Sequence, residues 1–318
     1  MENLERYNHL NKYLKEKFGE RTLKICIDGG FTCPNRDGTK GIGGCIFCSE
    51  KGSGEHIKAN NHFENSTIEY FSNISEQVKN YFSSYKAERA NKFIVYFQNH
   101  TNTYDKIENL KLKYDSALID DRIVGLEIAT RPDCINEEIA KLIKSHSKKY
   151  YVCVELGLQT ANEETAELIN RCYSNLDFTK AVNILNKYNI DVVAHIMIGL
   201  PSANGQNESK EDLINTVNFL NQHNIQGLKI HSCYVVKNTK LEQLYEQGNY
   251  VPLTLNEYIE YCAYVITHIS PKVIIHRVSG DAPKDLLVAP DWNLHKKWII
   301  NGLDKFLKEK NLYQGTYY

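Results

Sequence analysis

Six short runs rich in β-branched and aromatic residues recur along the chain, each followed by a stretch with helical spacing, and this alternation narrows the possible folds sharply. The runs are Leu23–Asp28, Phe93–Gln98, Ile123–Ala129, Tyr151–Leu158, Val192–Ile198 and Gly227–His231. Strands that alternate with helices argue for βα units on a parallel sheet, because parallel neighbours need a crossover connection. Six such units, rather than eight, predict an α/β fold in the form of an open or partial barrel. Its ligands are expected at the C-terminal ends of the strands. A further apolar run, Val273–His276, predicts a strand or two beyond the sixth.

Helix starts are legible between the runs. Ser66 with Glu69 has the spacing of a capping box ahead of Ile68, Phe71, Val78 and Phe82, and Thr254 with Glu257 repeats it. Asn136, Asn162 and Asp177 are expected to cap three more helices. There is no internal repeat, low-complexity tract or interdomain linker, and Pro201–Glu211 is the most polar connection. A chain of 318 residues therefore reads as one catalytic body with appendages: a helical extension over 1–22, the barrel over 23–235 and a C-terminal extension over 236–318.

Hydrophobic residues make up 42% and charged residues 24% with a net charge of -1, the composition of a soluble globular protein. Any attraction to nucleic acid must then come from local basic patches. Two stand out: Lys141, Lys144, Lys148 and Lys149 around His146, and Lys296, Lys297, Lys305, Lys308 and Lys310 in the tail. Each suits either a solvated helix face or a phosphate-contacting patch. The charged N-terminus and the lack of a long apolar stretch predict a cytoplasmic protein with no membrane partner. In such a reducing compartment nine cysteines point to metal or redox chemistry where they cluster.

They cluster once. The segment FTCPNRDGTKGIGGCIFCSEKGSGEH follows the first strand and carries Cys33, then, after eleven residues, Cys45, and after two more, Cys48. Three thiolates suit three irons of a [4Fe-4S] cubane and leave the fourth iron open, as catalytic metal sites keep a position for substrate. Glycines at four loop positions let the backbone wrap closely. Phe47 shields the cluster, flanks an adenine or simply packs. The rival is zinc, with Cys26 completing a four-cysteine set, although the alternation of LKICID makes Cys26 a core position. The scattered Cys134, Cys153, Cys172, Cys233 and Cys262 are expected to be buried, inert thiols.

Beyond that loop, GLEIATRPDCI, VELGLQT, LINR, AHIMIGLP and GLKIHSCYVVKNTKL follow in order. Together with the cysteines they resemble the YhcC/MnmL (YtqA)-like branch of radical S-adenosylmethionine (SAM) proteins, itself similar to the radical SAM domain of the Elongator catalytic subunit. The resemblance spans roughly residues 20 to 300 and implies a partial (β/α)6 TIM-like barrel of radical SAM type with N- and C-terminal extensions. It implies that Cys33, Cys45 and Cys48 bind the cluster and that Gln159 and Arg171 grip the methionine moiety of SAM. Glu127 is expected at its amine or ribose, His195 at the ribose, and Gly199 with Pro201 at the adenine. Where many radical SAM enzymes carry a Gly-Gly-Glu stretch for the SAM amine, this chain reads FQNHTNTY.

The resemblance further implies reductive cleavage of SAM with a reduced flavodoxin or ferredoxin-type electron donor, and a transfer RNA (tRNA) substrate. The implied reaction converts 5-carboxymethylaminomethyl(-2-thio)uridine at the wobble position to the 5-aminomethyl form. The segment HRVSGDAPKDLLVAPDWNLHKKW interleaves basic residues with Trp292 and Trp298, a combination that suits phosphates and unpaired bases or a C-terminal cap on the barrel. Two alternatives stay open at this point: a zinc-stabilised RNA-binding protein without redox chemistry, and a radical SAM enzyme on a small-molecule substrate.

Overall fold

The computed structural model describes residues 5–52, 67–203 and 205–318. Seven parallel strands form one curled sheet in the order β1 (Thr22–Ile27), β2 (Lys92–Phe97), β3 (Ile123–Thr130), β4 (Tyr151–Gln159), β5 (Asp191–Ile198), β6 (Gly227–Ser232) and β8 (Ile274–Arg277). The six expected strands are all present. The apolar run near residue 274 adds the seventh, so the segment after residue 235 contributes to the barrel sheet. A second, antiparallel pair joins β7 (Val235–Val236) to β9 (Leu287–Ala289).

Strand alternation divides the barrel residues into two sets. Ile25 and Ile27, Phe93, Val95 and Phe97, Leu126 and Ile128, and Val154 and Leu156 enter one hydrophobic core, together with helix residues such as Tyr114, Ile143, Phe178 and Leu213. The positions between them carry Lys24, Tyr96, Glu155, His195 and Lys229, which face a cavity on the concave side. A strand with one face against helices and the other against a polar interior repeats every two residues, and that period fixes which side chain meets which medium.

The caps follow the expected chemistry with one change. Asn136 accepts from the Ile139 amide, Asn162 from Glu164 and Thr165, and Thr254 with Glu257 forms a reciprocal box. Asp177 is not the cap of its helix but the third residue of a box whose cap is Ser174. The hydroxyl three residues earlier takes the first free amide, and the carboxylate reaches back to the Ser174 amide. Ser66 lies outside the described residues. The termini meet beside β8: the Ile275 amide donates to Asn8 O at 2.8 Å, and the Gln314 amide to Arg6 O at 2.9 Å. No helix among the described residues is long and apolar enough to cross a membrane.

Candidate active site

The loop after β1 closes on itself through its own backbone. The Arg36 amide donates to Cys33 O at 2.8 Å, Gly44 to Asn35 O at 2.8 Å and Cys48 to Cys45 O at 3.0 Å. Arg36 ties the two ends together, its guanidinium donating to Cys48 O at 2.9 Å and to Ser49 O. Gly44 needs its missing side chain, because it sits at φ +78° and a Cβ there meets the Arg36 Nε at 3.0 Å. A second apolar cluster, including Ile46, Ile169, Leu200, Val235 and Leu241 with Phe47 packed against it, backs the loop.

Cys33, Cys45 and Cys48 all open on one cavity of about 750 Å³, within the range that encloses small ligands. Burial first, and then the neighbouring Cys48 and Cys33, push the Cys45 thiol up to about 12. Metal cations are what draw the proton from such a thiol. Among the described residues, no set of three ligand atoms within 4.8 Å of one another includes these cysteines. A single zinc would gather its thiolates at about 3.8 Å. Three thiolates on one loop are a donor set that can hold a cubane by three of its irons, whereas a closed structural zinc site takes four ligands. Cys26 is not a buried core residue: it faces the same cavity. Cys153, Cys233 and Cys262 are buried as expected, whereas Cys172 is exposed.

Gln159, His195 and Phe47 also line the cavity. Gln159 ends β4 at an irregularity of register and holds φ +60°, a conformation rare for a residue with a side chain. The Tyr173 hydroxyl donates to its Oε1 at 2.7 Å. His195 stands in register with Gly157 and Lys229. Burial first, and then the Lys229 charge, pull its imidazole down to about 3, so it is neutral. From FQNHTNTY, residues Gln98, His100 and Thr101 face the cavity, and the buried Thr101 hydroxyl has no hydrogen-bond partner among the described residues.

Arg171 and Glu127 are not brought to the cavity. Arg171 is fully buried, and all five of its N–H groups are engaged: to Leu158 O and Thr160 O at 2.7 Å, Tyr173 O at 3.0 Å, and Glu163 and Asn175 at 3.1 Å. None remains for a ligand carboxylate. Glu127 lies mid-strand rather than at the strand end, with Lys24 Nζ at 2.6 Å from each of its oxygens.

The residue before Arg171 does unexpected work. Asn170 donates to Gly44 O at 2.8 Å and accepts through its backbone carbonyl from Asn35 at 2.6 Å, so LINR anchors both the cysteine loop and the Gln159 turn. The pairing of Asn with Arg in that motif was the available signal, and only the arginine was singled out from it.

Deeper in the barrel lies a charged group that sequence reasoning passed over. Lys229 Nζ donates to Glu155 at 2.7 Å and to the Tyr96 hydroxyl at 2.8 Å, and Tyr96 in turn donates to Glu155. Burial would raise Glu155, but the ammonium groups of Lys229 and Lys24 hold it well below the usual carboxylate range. Burial pushes Glu127 up to about 8 against the pull of Lys24, so this pair of carboxyls retains a proton. Glu127, Glu155 and His276 bring ligand atoms within 4.8 Å of one another, yet the two lysines already supply the positive charge there. The signal was the alternation of LKI, VEL and LKIHS, where every second residue is polar.

At the C-terminal side the two tryptophans separate. Trp292 donates to Leu253 O at 3.0 Å and packs on Tyr258, as a cap does. Trp298 is 54% exposed and stacks on His295 at 4.0 Å, beside Lys296, which pairs with Asp281 of the cavity lining.

Comparison with known proteins identifies the family of the chain. The radical SAM superfamily profile matches residues 33–220, and the radical SAM C-terminal domain profile matches residues 225–309. The chain is 36% identical to YtqA of Bacillus subtilis over 98% of its own length and 93% of that protein. It is 29% identical to a tRNA uridine(34) acetyltransferase of Methanocaldococcus jannaschii, over 52% of this chain and 30% of that protein. Among solved structures, Elp3 of Methanocaldococcus infernus superposes with a TM-score of 0.62 at 19% identity, covering 92% of this chain and 64% of that one, a likeness of fold.

Proposed function

The chain belongs to the radical SAM superfamily, as an enzyme that works with a [4Fe-4S] cluster and SAM, and on that footing we propose that it modifies the wobble uridine of tRNA in the cytoplasm. The reaction converts 5-carboxymethylaminomethyl(-2-thio)uridine to the 5-aminomethyl form: the N–CH2 bond of the carboxymethyl group would lose two electrons to SAM, giving methionine and 5′-deoxyadenosine, and water would then release that group as glyoxylate. A reduced flavodoxin or ferredoxin-type protein is the electron donor.

One observation carries this reading: the three cysteines, the strained Gln159 and the polar barrel interior open on a single cavity, whose lining residue Asp281 pairs with Lys296, two positions before the exposed Trp298. The relative that acts on tRNA uridine(34) supports the choice of substrate class. Cys33, Cys45 and Cys48 hold the cluster. Gln159, kept in place by Tyr173, binds the methionine moiety, and the Thr101 hydroxyl accepts from the amine. Neutral His195 faces the ribose and Phe47 the adenine. When bound, the cluster and SAM supply the radical that takes a hydrogen atom from the substrate. The chain's own task is to fix that geometry and keep water out.

The test is the nucleoside content of tRNA from a deletion strain. Accumulation of the carboxymethylaminomethyl nucleoside is expected, with restoration by the wild-type gene but not by Cys45→Ala. Unchanged nucleosides would remove the tRNA substrate and leave the family assignment standing.

A further inference from the structure

A row of basic and imidazole side chains crosses the inner end of the cavity. His195 on β5, Lys229 on β6 and Arg277 on β8 stand in one row by strand register, and His231 lies two residues beyond Lys229 on the same side of β6. Lys24, Lys229 and Arg277 there pair with Glu127, Glu155 and Asp281 in turn, the Arg277 guanidinium donating to Asp281 at 2.7 Å.

Polar atoms there also lack partners. Among the described residues the buried Nε2 atoms of His195 and His231 have no hydrogen bond. The two imidazole rings lie 4.1 Å apart, both neutral because burial drives their protons off. Two neutral imidazoles beside an ammonium and a guanidinium offer donors without adding charge, while buried donors left unmade are costly. Lys229 is itself fixed by Glu155 and Tyr96, so its ammonium is preorganised rather than mobile.

We propose that Lys229, Arg277 and His231 form the subsite for a carboxylate carried by the substrate. This deepens the function proposed above and rests on it: the carboxylate is that of the carboxymethylaminomethyl group, held at the inner end so that its methylene carbons face the part of the cavity next to the cysteines. A planar anion of this size matches the guanidinium fork and the adjacent ammonium, and a product lacking the carboxylate loses both partners and is released. The residues thereby select the unprocessed nucleoside over the processed one.

The test uses the cluster-loaded protein with two anticodon stem-loop RNAs, one bearing the carboxymethylaminomethyl uridine and one the aminomethyl uridine. Wild type is expected to bind the first at least about tenfold more tightly. Lys229→Met and Arg277→Gln should abolish that preference and lower conversion, with affinity for SAM itself within about twofold of wild type. Arg277→Gln leaves the Glu155 pairing intact and guards against a folding defect of Lys229→Met. If wild type converts the RNA and both variants convert it equally well, the subsite is wrong and the proposed function stands. If wild type prefers the carboxylate but does not convert it, the function fails and the subsite stands; no preference in wild type overturns the subsite. A large loss of SAM affinity in both variants assigns the row to SAM and overturns the proposal.

Discussion

The guanidinium of Arg171 donates to the carbonyls on either side of Gln159, Leu158 O and Thr160 O, at 2.7 Å each, and so fixes the backbone of a residue whose own side chain it does not bond. Gln159 needs that hold, because its φ of +60° is unfavourable for a residue with a Cβ. Arg171 is therefore a positioning residue. Arg171→Lys cannot keep five directed bonds with one ammonium, and we expect it to lose about 2–3 kcal/mol of stability. The KM for SAM should rise about tenfold while iron content stays near wild type. Measuring 5′-deoxyadenosine release against SAM concentration, with iron assayed on the same samples, checks both; an unchanged KM would show that the turn holds without the arginine.

The cysteine loop is expected to respond to its glycines unequally. Gly43 and Gly44 both hold positive φ, but only at Gly44 does a new Cβ meet a neighbour, the Arg36 guanidinium. Gly43→Ala should cost about 1 kcal/mol of backbone strain and retain the cluster. Gly44→Ala should push away the guanidinium that ties Cys48 to Cys33 and lower iron per chain after anaerobic reconstitution. Cys45→Ala sets the floor of that assay, and equal iron in both glycine variants would dismiss the role given to Arg36.

Stability should fall with rising pH through Glu208. Its carboxyl is buried, accepts from Thr160 at 2.6 Å, and is pushed by burial from 4.5 up to about 7. A raised carboxyl stabilises the fold only while protonated. Its contribution is whole below about 4.5 and is lost as the pH climbs through about 7, up to about 3 kcal/mol in all. Urea unfolding of the cluster-loaded protein at pH 5 and pH 8 should show this slope, and Glu208→Gln should flatten it. An equal slope in the variant would assign the dependence to another group.

The two tryptophans should separate binding from folding. Trp298→Ala removes an exposed ring stacked on His295 and is expected to weaken tRNA binding about tenfold with stability nearly unchanged. Trp292→Ala breaks the bond to Leu253 O and the packing on Tyr258, so it should lower stability by about 3 kcal/mol. Salt-dependent RNA binding and denaturant midpoints distinguish the two, and the reverse pattern would move the RNA surface away from Trp298.

The strands were legible because short runs rich in β-branched and aromatic residues, bounded by turns, are a local signal even where one face is polar, and LKICI, FIVYF and AHIMI are such runs. The cysteine spacing was legible because it is local: Cys45 and Cys48 are neighbours in the chain, and Cys33 starts the same loop. Asn136, Asn162 and Thr254 capped where expected for the same reason, since a cap needs only the next three residues. Arg171 shows where locality ends. Its type suggested a ligand fork, yet its partners come from the end of β4 and the helix start beyond, and only folding shows that they use every donor it has. Lys229 and Glu155 lie 74 positions apart, and Lys229 and Tyr96 lie 133 apart. Side chains so distant in sequence meet because the sheet curls and brings its inward rows together, and the charge of that interior is a property of the curled sheet rather than of any one segment.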